Sequence, residues 1–227
     1  MTYSAKTAYQ DDSTADVYEQ RRFRNWSGRV GGDLEKTRML AGLKHLGVAP
    51  HGVVVDVPAG TGRLTSAALE HGYYAVGVDV SPAMLRQGFV LHGLDTAAGF
   101  VGAITGDIEN LPLANGSVDA VMSLRLMGHL PSDAKERALR EMLRVARVGI
   151  VVMFARRTPL LRVKREAMWR LGMRPQALHW YDETDHDIRA LVSSVGAEVV
   201  GHEDLLGPFA ESRMYAIRPK VKTACAS

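Results

Sequence analysis

Residues 53–64 read VVVDVPAGTGRL, and residues 75–85 read AVGVDVSPAML. Each stretch begins as a short apolar run that meets an acid near its carboxyl end, Asp56 in the first and Asp79 in the second. A turn follows each run and opens a helix. Short buried strands that alternate with amphipathic helices are typical of βαβ units. The pattern therefore predicts a doubly wound α/β fold with a mostly parallel sheet.

The same alternation continues along the chain. Strands are predicted at 53–57, 74–80, 100–107, 118–124, 150–154, 197–205 and 212–218. Helices are predicted at 33–46, 63–71, 82–91 and 182–195, and a further helix opens at residues 131–133 and ends before Gly149. The last two strands are expected to form a hairpin.

The composition is that of one globular domain. The chain has 227 residues, of which 46% are hydrophobic and 23% charged, with a net charge of +3. These values exclude a disordered, collagen-like or long coiled-coil protein, and no apolar run reaches the ~18 residues that span a bilayer. We expect a single domain over 1–227, with an N-terminal helical cap at 1–34 and an insert at 156–181. A single cysteine and the lack of a secretory signal predict the cytoplasm.

Three acids lie at or near the carboxyl ends of predicted strands: Asp56, Asp79 and Asp107. In an open α/β sheet the ligand crevice lies outside these ends, at the switch in strand order. We therefore expect the three carboxylates to lie close together, next to the glycine-rich turn 58–62.

The residue types indicate the ligand. A carboxylate after the second strand suits a ribose diol, but Thr65 stands where the dinucleotide-binding fingerprint has its third glycine. Asp56 would repel a pyrophosphate held by the same turn. A ligand with an adenosine and a cationic amino-acid tail fits these residues better than NAD does.

These residues resemble those of the class I S-adenosylmethionine (SAM) methyltransferases, in the two stretches above and in GDIENLPLANGSVDAVMSL at 106–124. The resemblance covers roughly residues 35–155. It is closest to small-molecule methyltransferases related to the ubiquinone and menaquinone C-methylating enzymes. It implies a seven-stranded sheet whose last strand is antiparallel. The family's first motif is often D-x-G-x-G-x-G, whereas this chain has Pro58 at the first glycine, and proline offers no N–H.

The resemblance also implies the cofactor-binding residues. The methionine end of SAM is expected to lie against Asp56, Pro58, Ala59, Gly60 and Gly62. Asp79 is expected to accept both ribose hydroxyls. The adenine is expected to contact Val80, Met84, Asp107 and Ile108. Leu124 and Arg125 would border the methionine moiety and the acceptor pocket.

The implied function is methyl transfer from SAM to a small-molecule acceptor, with S-adenosylhomocysteine (SAH) as the second product. Oxygen is favoured as the acceptor atom because His129 follows the fourth strand and could remove a hydroxyl proton. A helix-capping or packing role for His129 remains open. Two other functions on the same fold also remain open: a SAM-binding enzyme that catalyses another reaction, such as a cyclisation, and a non-catalytic interaction protein.

Two segments have several interpretations. Residues 156–174 carry seven basic residues against one acid, Glu166. They could form a solvated face, bind an acidic acceptor or rest on an anionic membrane surface. No RNA-binding signature accompanies them, which argues against nucleic acid. Near the N-terminus, Tyr18 and its aromatic neighbours could form a lid over the cofactor or fix the helix to the sheet. No Cys/His cluster suggests a metal.

Overall fold

The computed structural model describes residues 26–157, 181–205 and 212–220, with isolated positions between 163 and 172. Its helices are α1 (Trp26–Leu46), α2 (Arg63–Glu70), α3 (Pro82–His92), α4 (Ser132–Val145) and α5 (Asp185–Ser194). Its strands are β1 (Val53–Asp56), β2 (Tyr74–Asp79), β3 (Phe100–Thr105), β4 (Val118–Ser123), β5 (Ala146–Ala155), β6 (Ala197–Asp204) and β7 (Ser212–Pro219). Short 3₁₀ turns lie at Leu94–Thr96, after α3, and at Met127–His129, after β4.

The described strands form one seven-stranded sheet in the order β3-β2-β1-β4-β5-β7-β6. The strands β1 to β5 pair in parallel, and β7 runs antiparallel to both β5 and β6. This arrangement confirms the predicted doubly wound, mostly parallel sheet with an antiparallel last strand. None of the helices within these residues is both long and apolar enough to cross a bilayer.

Apolar side chains cover both faces of the sheet. On one face, Met39 and Leu43 of α1 and Leu64 of α2 are buried against β1 and β4. On the other face, Leu139 of α4 and Ile188 of α5 are buried in a second cluster with β1, β4 and β5. Strands that are covered on both faces need nearly continuous apolar runs, which explains sequences such as VVV at 53–55.

Two boundaries differ from the sequence prediction by more than three residues. The helix expected over 33–46 begins seven residues earlier, at Trp26, so the boundary expected at residue 34 lies inside a helix. The strand expected over 150–154 begins at Ala146 and contains Gly149, which the sequence indicated as the end of the preceding helix. The glycine is required by packing, because a Cβ at this position would overlap the Ile217 carbonyl oxygen and lie 2.8 Å from the Leu46 Cδ2.

This close approach leads to a stability prediction. We expect Gly149→Ala to lower the free energy of unfolding by about 1–3 kcal/mol, because the backbone of β7 must shift to admit the methyl group. The melting temperature should fall by roughly 2–4 °C for each kcal/mol of stability that is lost. Gly31→Ala is the control, since no atom lies within 4 Å of its Cβ position in α1. The control should stabilise the helix by about 0.5–1 kcal/mol, and equal melting temperatures for the two variants would contradict the packing argument.

Candidate active site

The crevice lies at the carboxyl ends of β1 and β4, which are neighbours in the sheet. The chain leaves β1 towards β2 and leaves β4 towards β5, so the strand order reverses between these two strands. Ligands of doubly wound sheets bind at this switch point. The turns after β1 (57–62) and after β4 (124–131) therefore border the candidate site.

Backbone hydrogen bonds fix the turn after β1. The Val57 N–H donates to the Met122 carbonyl at 2.9 Å, and the Ala59 N–H donates to the Val78 carbonyl at 2.8 Å. The Val57–Pro58 peptide bond is cis. Gly60 and Gly62 have φ angles of +55° and +79°, a region that favours glycine. The turn is thus tied to β2 and β4, with its two glycines in left-handed conformations.

Asp79, at the end of β2, is buried and holds this turn. One carboxylate oxygen accepts the Gly60 N–H at 2.8 Å, and the other accepts the Ser81 N–H at 2.9 Å. Burial raises the pKa of Asp79, while these backbone hydrogen bonds act in the opposite direction. A carboxylate has about four acceptor positions, so both oxygens keep capacity for a ligand hydroxyl.

Asp56 lies one strand away and is 1% exposed. Its Oδ2 accepts the Thr65 N–H at 2.9 Å and the Thr65 hydroxyl at 2.8 Å. Within the described part of the chain its Oδ1 has no hydrogen-bond partner. Burial raises the pKa of Asp56 to about 7, and the nearby Asp79 charge adds to this rise, whereas the Thr65 bonds oppose it. The Asp56 carboxylate therefore caps the start of α2 and keeps one buried oxygen unused.

The predicted adenine residues follow β2 and β3. The Gly106 N–H donates to the Asp79 carbonyl at 2.9 Å, which places Asp107 next to the end of β2. The Asp107 carboxylate accepts the Glu109 N–H at 3.0 Å. Ile108 and Met84 are buried, and Val80 is half-buried. A Cβ on Gly60 would lie 3.6 Å from the Met84 Cε, so Met84 packs close to the glycine turn.

Arg125 lies in the turn after β4. It has a φ angle of +60°, and its Nη2 forms an ion pair with the buried Glu35 of α1. The Arg63 Nη2 lies 3.5 Å from the other oxygen of the same carboxylate. Leu124 and His129 are half-buried in this turn, and the His129 N–H donates to the Leu126 carbonyl at 2.8 Å.

A buried lysine borders the same turn from the other face of the sheet. Lys135 of α4 is 0% exposed, and its Nζ donates to the Tyr181 carbonyl at 3.1 Å and to Glu183 at 2.8 Å. The Tyr181 N–H donates to the Gly128 carbonyl at 2.8 Å. The chain that returns from the predicted insert is therefore joined to the turn that carries His129.

Comparisons with known proteins agree with this geometry. A model of the methyltransferase domain family matches residues 54–149. The chain is 28% identical over 187 residues to the demethylmenaquinone methyltransferase of Beutenbergia cavernae, and the match covers 74% of both proteins. It is 34% identical over 113 residues to the malonyl-acyl-carrier-protein O-methyltransferase of Methylococcus capsulatus. That match covers 49% of this chain and only 39% of the relative.

A solved structure matches nearly the whole chain. It is the magnesium protoporphyrin IX methyltransferase of Synechocystis PCC 6803 with bound SAH. The TM-score is 0.71 at 20% identity, and the match covers 94% of this chain and 99% of that protein. Residues 54–149 thus match a methyltransferase domain, and the fold of the chain is that of this solved methyltransferase. A second structure of that protein holds SAM.

The residues of the crevice fit this cofactor. Its adenosine carries a ribose diol and its tail an amino group and a sulfonium, so it needs acceptors and negative charge. Asp79 has acceptor capacity to spare at the end of β2, and the buried Asp56 Oδ1 has no partner within the described residues. Gly60, whose N–H contacts the Asp79 carboxylate, carries no side chain and leaves room beside it, whereas Leu94 fills the space beside Gly62.

The structure gathers most of the predicted site residues around one crevice. Tyr18 lies outside the described residues, so its predicted role stays a prediction. Sequence reasoning missed the ionic partners of the crevice, Glu35 and Arg63, and the buried Lys135. A detectable signal existed for Glu35, which precedes the fully buried Met39 and Leu43 by four and eight residues and so shares their apolar helix face.

The raised pKa of Asp56 predicts a pH dependence of stability. The folded protein retains this proton up to about pH 7, whereas the unfolded chain releases it near pH ~4. The free energy of unfolding that Asp56 contributes therefore falls as the pH rises between these values, by at most about 1.4 kcal/mol per pH unit. Asp56→Asn should lack this slope, so its stability relative to wild type should increase from pH 5 to pH 7 in urea titrations.

Asp133→Asn is the matched control. Asp133 is exposed on α4, and its hydrogen bond with Arg137 lowers the pKa of its carboxyl. The contribution of Asp133 to stability is lost only at acidic pH. The difference in the free energy of unfolding between Asp133→Asn and wild type should therefore stay constant between pH 5 and pH 7. A constant difference for Asp56→Asn over the same range would contradict the raised pKa.

Proposed function

We propose that this protein transfers the methyl group of SAM to a small-molecule acceptor, with oxygen as the favoured acceptor atom. The observation that carries the proposal is the buried carboxylate of Asp79, which ends β2 and accepts the N–H groups of Gly60 and Ser81. A carboxylate at this position of a doubly wound sheet suits a ribose diol. Asp56 lies one strand away, beside the turn that would hold the cationic end of the cofactor, and a positive group there favours the ionised form of this carboxyl against the effect of burial.

Each group of residues has a proposed task in binding. Asp79 accepts the ribose hydroxyls. Val80, Met84 and Ile108 enclose the adenine, and Asp107 accepts its amino group. The methionine end lies against Asp56 and the turn of Pro58, Ala59, Gly60 and Gly62. Leu124 and Arg125 separate this end from the acceptor.

The bound cofactor supplies an electrophilic methyl group on a sulfonium. The protein's main task is alignment, because an in-line displacement gains much of its acceleration from the placement of the two reactants. The turns after β1 and β4 set this placement, since both are held by hydrogen bonds to the sheet or by buried ion pairs. His129 takes the proton from an acceptor hydroxyl as the oxygen attacks.

The acceptor is proposed to enter on the side of the insert. Tyr181 and Glu183 bring the end of this segment against the His129 turn. Two of the similar proteins support a small-molecule acceptor, since their names specify demethylmenaquinone and magnesium protoporphyrin IX, whereas the third names a malonyl group on acyl-carrier protein. The basic residues at 162–174 outnumber the one acid there, Glu166, and support an acidic acceptor, whereas Arg156 and Arg157 already pair with Asp185 and Asp182.

The cofactor proposal is tested by calorimetric titration with SAH. Wild type should bind SAH and should not bind NAD. Asp79→Ala should weaken SAH binding by roughly 100-fold, because two hydrogen bonds to a charged group are lost. Asp95→Ala is the control, because Asp95 is exposed in the 3₁₀ turn beyond α3. Binding of NAD by the wild type, or equal SAH affinity in the two variants, would contradict the proposal.

The catalytic proposal is tested by His129→Ala. We expect SAH binding to stay within about threefold of wild type, while turnover on a hydroxyl acceptor falls by roughly 10²- to 10⁴-fold. The acceptor is the first member of a phenol and hydroxy-acid panel that gains one CH₂ by mass spectrometry with the wild type. His71→Ala is the control, because its ring is bonded to the Ala67 carbonyl at the far end of α2. Unchanged turnover in His129→Ala would remove this residue from the mechanism.

A further inference from the structure

Glu35 is a buried carboxylate that neither the fold nor the proposed chemistry explains. It is 5% exposed and lies on the apolar face of α1, in line with the fully buried Met39 and Leu43. A carboxylate on such a face is costly to bury without charged partners. Its position is therefore informative, since a neutral residue would pack there at lower cost.

Its partners lie on the two turns that border the crevice. Arg63 is the first residue of α2, directly after Gly62, and its Nη2 lies 3.5 Å from one Glu35 oxygen. Arg125 is two residues beyond β4, and its Nη2 pairs with the other oxygen. One carboxylate thus joins the N-terminal helix to the chain on both sides of the switch point.

The backbone of Arg125 adds a second observation. Its φ angle of +60° lies in the left-handed region, which a residue with a Cβ rarely adopts. Strained conformations of this kind persist where the surrounding structure imposes them, and they cluster at functional sites. Within the described structure, Glu35 is the only ionic partner of Arg125, whose Nε is buried without a hydrogen bond.

We infer that Glu35 is a positioning residue which, through its ion pair with Arg125, holds the turn after β4 in its left-handed conformation and so shapes the methionine end of the cofactor site. This inference rests on the proposed function, because it assigns the turn to cofactor binding. It also gives α1 a task in the active site that does not depend on the residues before Trp26.

The neighbouring Arg38 provides a matched comparison on the same helix. Its Nη1 pairs with Glu203 of β6 at 2.8 Å, so it also joins α1 to the sheet by an ion pair. Glu203 lies on the edge strand of the sheet and not on either crevice turn. Loss of this pair removes a contact between helix and sheet but leaves the turn after β4 unchanged.

The experiment measures SAH affinity by calorimetry on the full chain, with the melting temperature of each variant recorded in parallel. Glu35→Gln should weaken SAH binding by roughly tenfold or more. Arg125→Gly should bind SAH roughly fivefold or more tightly than Arg125→Ala, because glycine adopts the left-handed conformation without a Cβ penalty. In the Arg125→Gly background, Glu35→Gln should cause no further loss of affinity. Arg38→Gln should lower the melting temperature while its SAH affinity stays within about twofold of wild type.

Three results would overturn the inference: wild-type affinity in Glu35→Gln, equal affinity in Arg125→Gly and Arg125→Ala, or additive losses in the double variant. If Glu35→Gln does not fold, the comparison of Arg125→Gly with Arg125→Ala decides alone. A wild type that fails to bind SAH overturns the proposed function together with this inference. Binding by the wild type with no effect at Glu35 overturns the inference alone.

Discussion

The carboxylate of Asp79 connects two loops of this crevice to the sheet. It accepts one backbone N–H from the turn after β1 and one from the start of α3, so it fixes two loops relative to the end of β2. The hydrogen bond from Gly60 requires a backbone that approaches the carboxylate closely, and Gly60 meets this demand in a left-handed conformation. The remaining acceptor positions of the same group are the ones that we propose for the ribose hydroxyls. In this proposal a single buried acid is both a structural support and a recognition element.

The sheet and the acids at its carboxyl edge could be predicted from the sequence alone. Residues such as Val53 to Val55 have nearly continuous apolar character because helices cover both faces, and this local signal does not depend on tertiary detail. Gly149 is a residue whose role cannot be predicted from the neighbouring sequence. A glycine after a helix pattern usually indicates a stop, but here it sits within β5 because β7 and Leu46 approach too closely for a Cβ. Only the arrangement of distant strands could reveal that requirement.

The ionic contacts around the crevice also could not be predicted from local sequence patterns. Glu35 and Arg125 are 90 positions apart in sequence, and no pattern in a single chain pairs them. Lys135 is similar, since a lysine is ordinarily exposed by its residue type, whereas Tyr181 and Glu183 accept hydrogen bonds from its buried Nζ. Such pairs join elements that the sheet has already brought together. They refine the site after the fold exists, which is why sequence reasoning found the acids at the strand ends and missed their partners.

The electrostatics of the crevice explain why a cationic cofactor suits it. Asp56 and Asp79 are both buried, burial raises the pKa of each, and the charge of Asp79 raises the pKa of Asp56 further. Two neighbouring carboxylates in a weakly solvated site are costly to ionise together, and a positive group beside them offsets that cost. A pyrophosphate would add negative charge to the same turn and so increase the cost of ionising the two carboxylates. In the proposed function, the buried pair disfavours dinucleotides through the same interaction that favours an amino group and a sulfonium. One short motif, VVVDVPAGTG, supplies both the turn and the first of the two carboxylates.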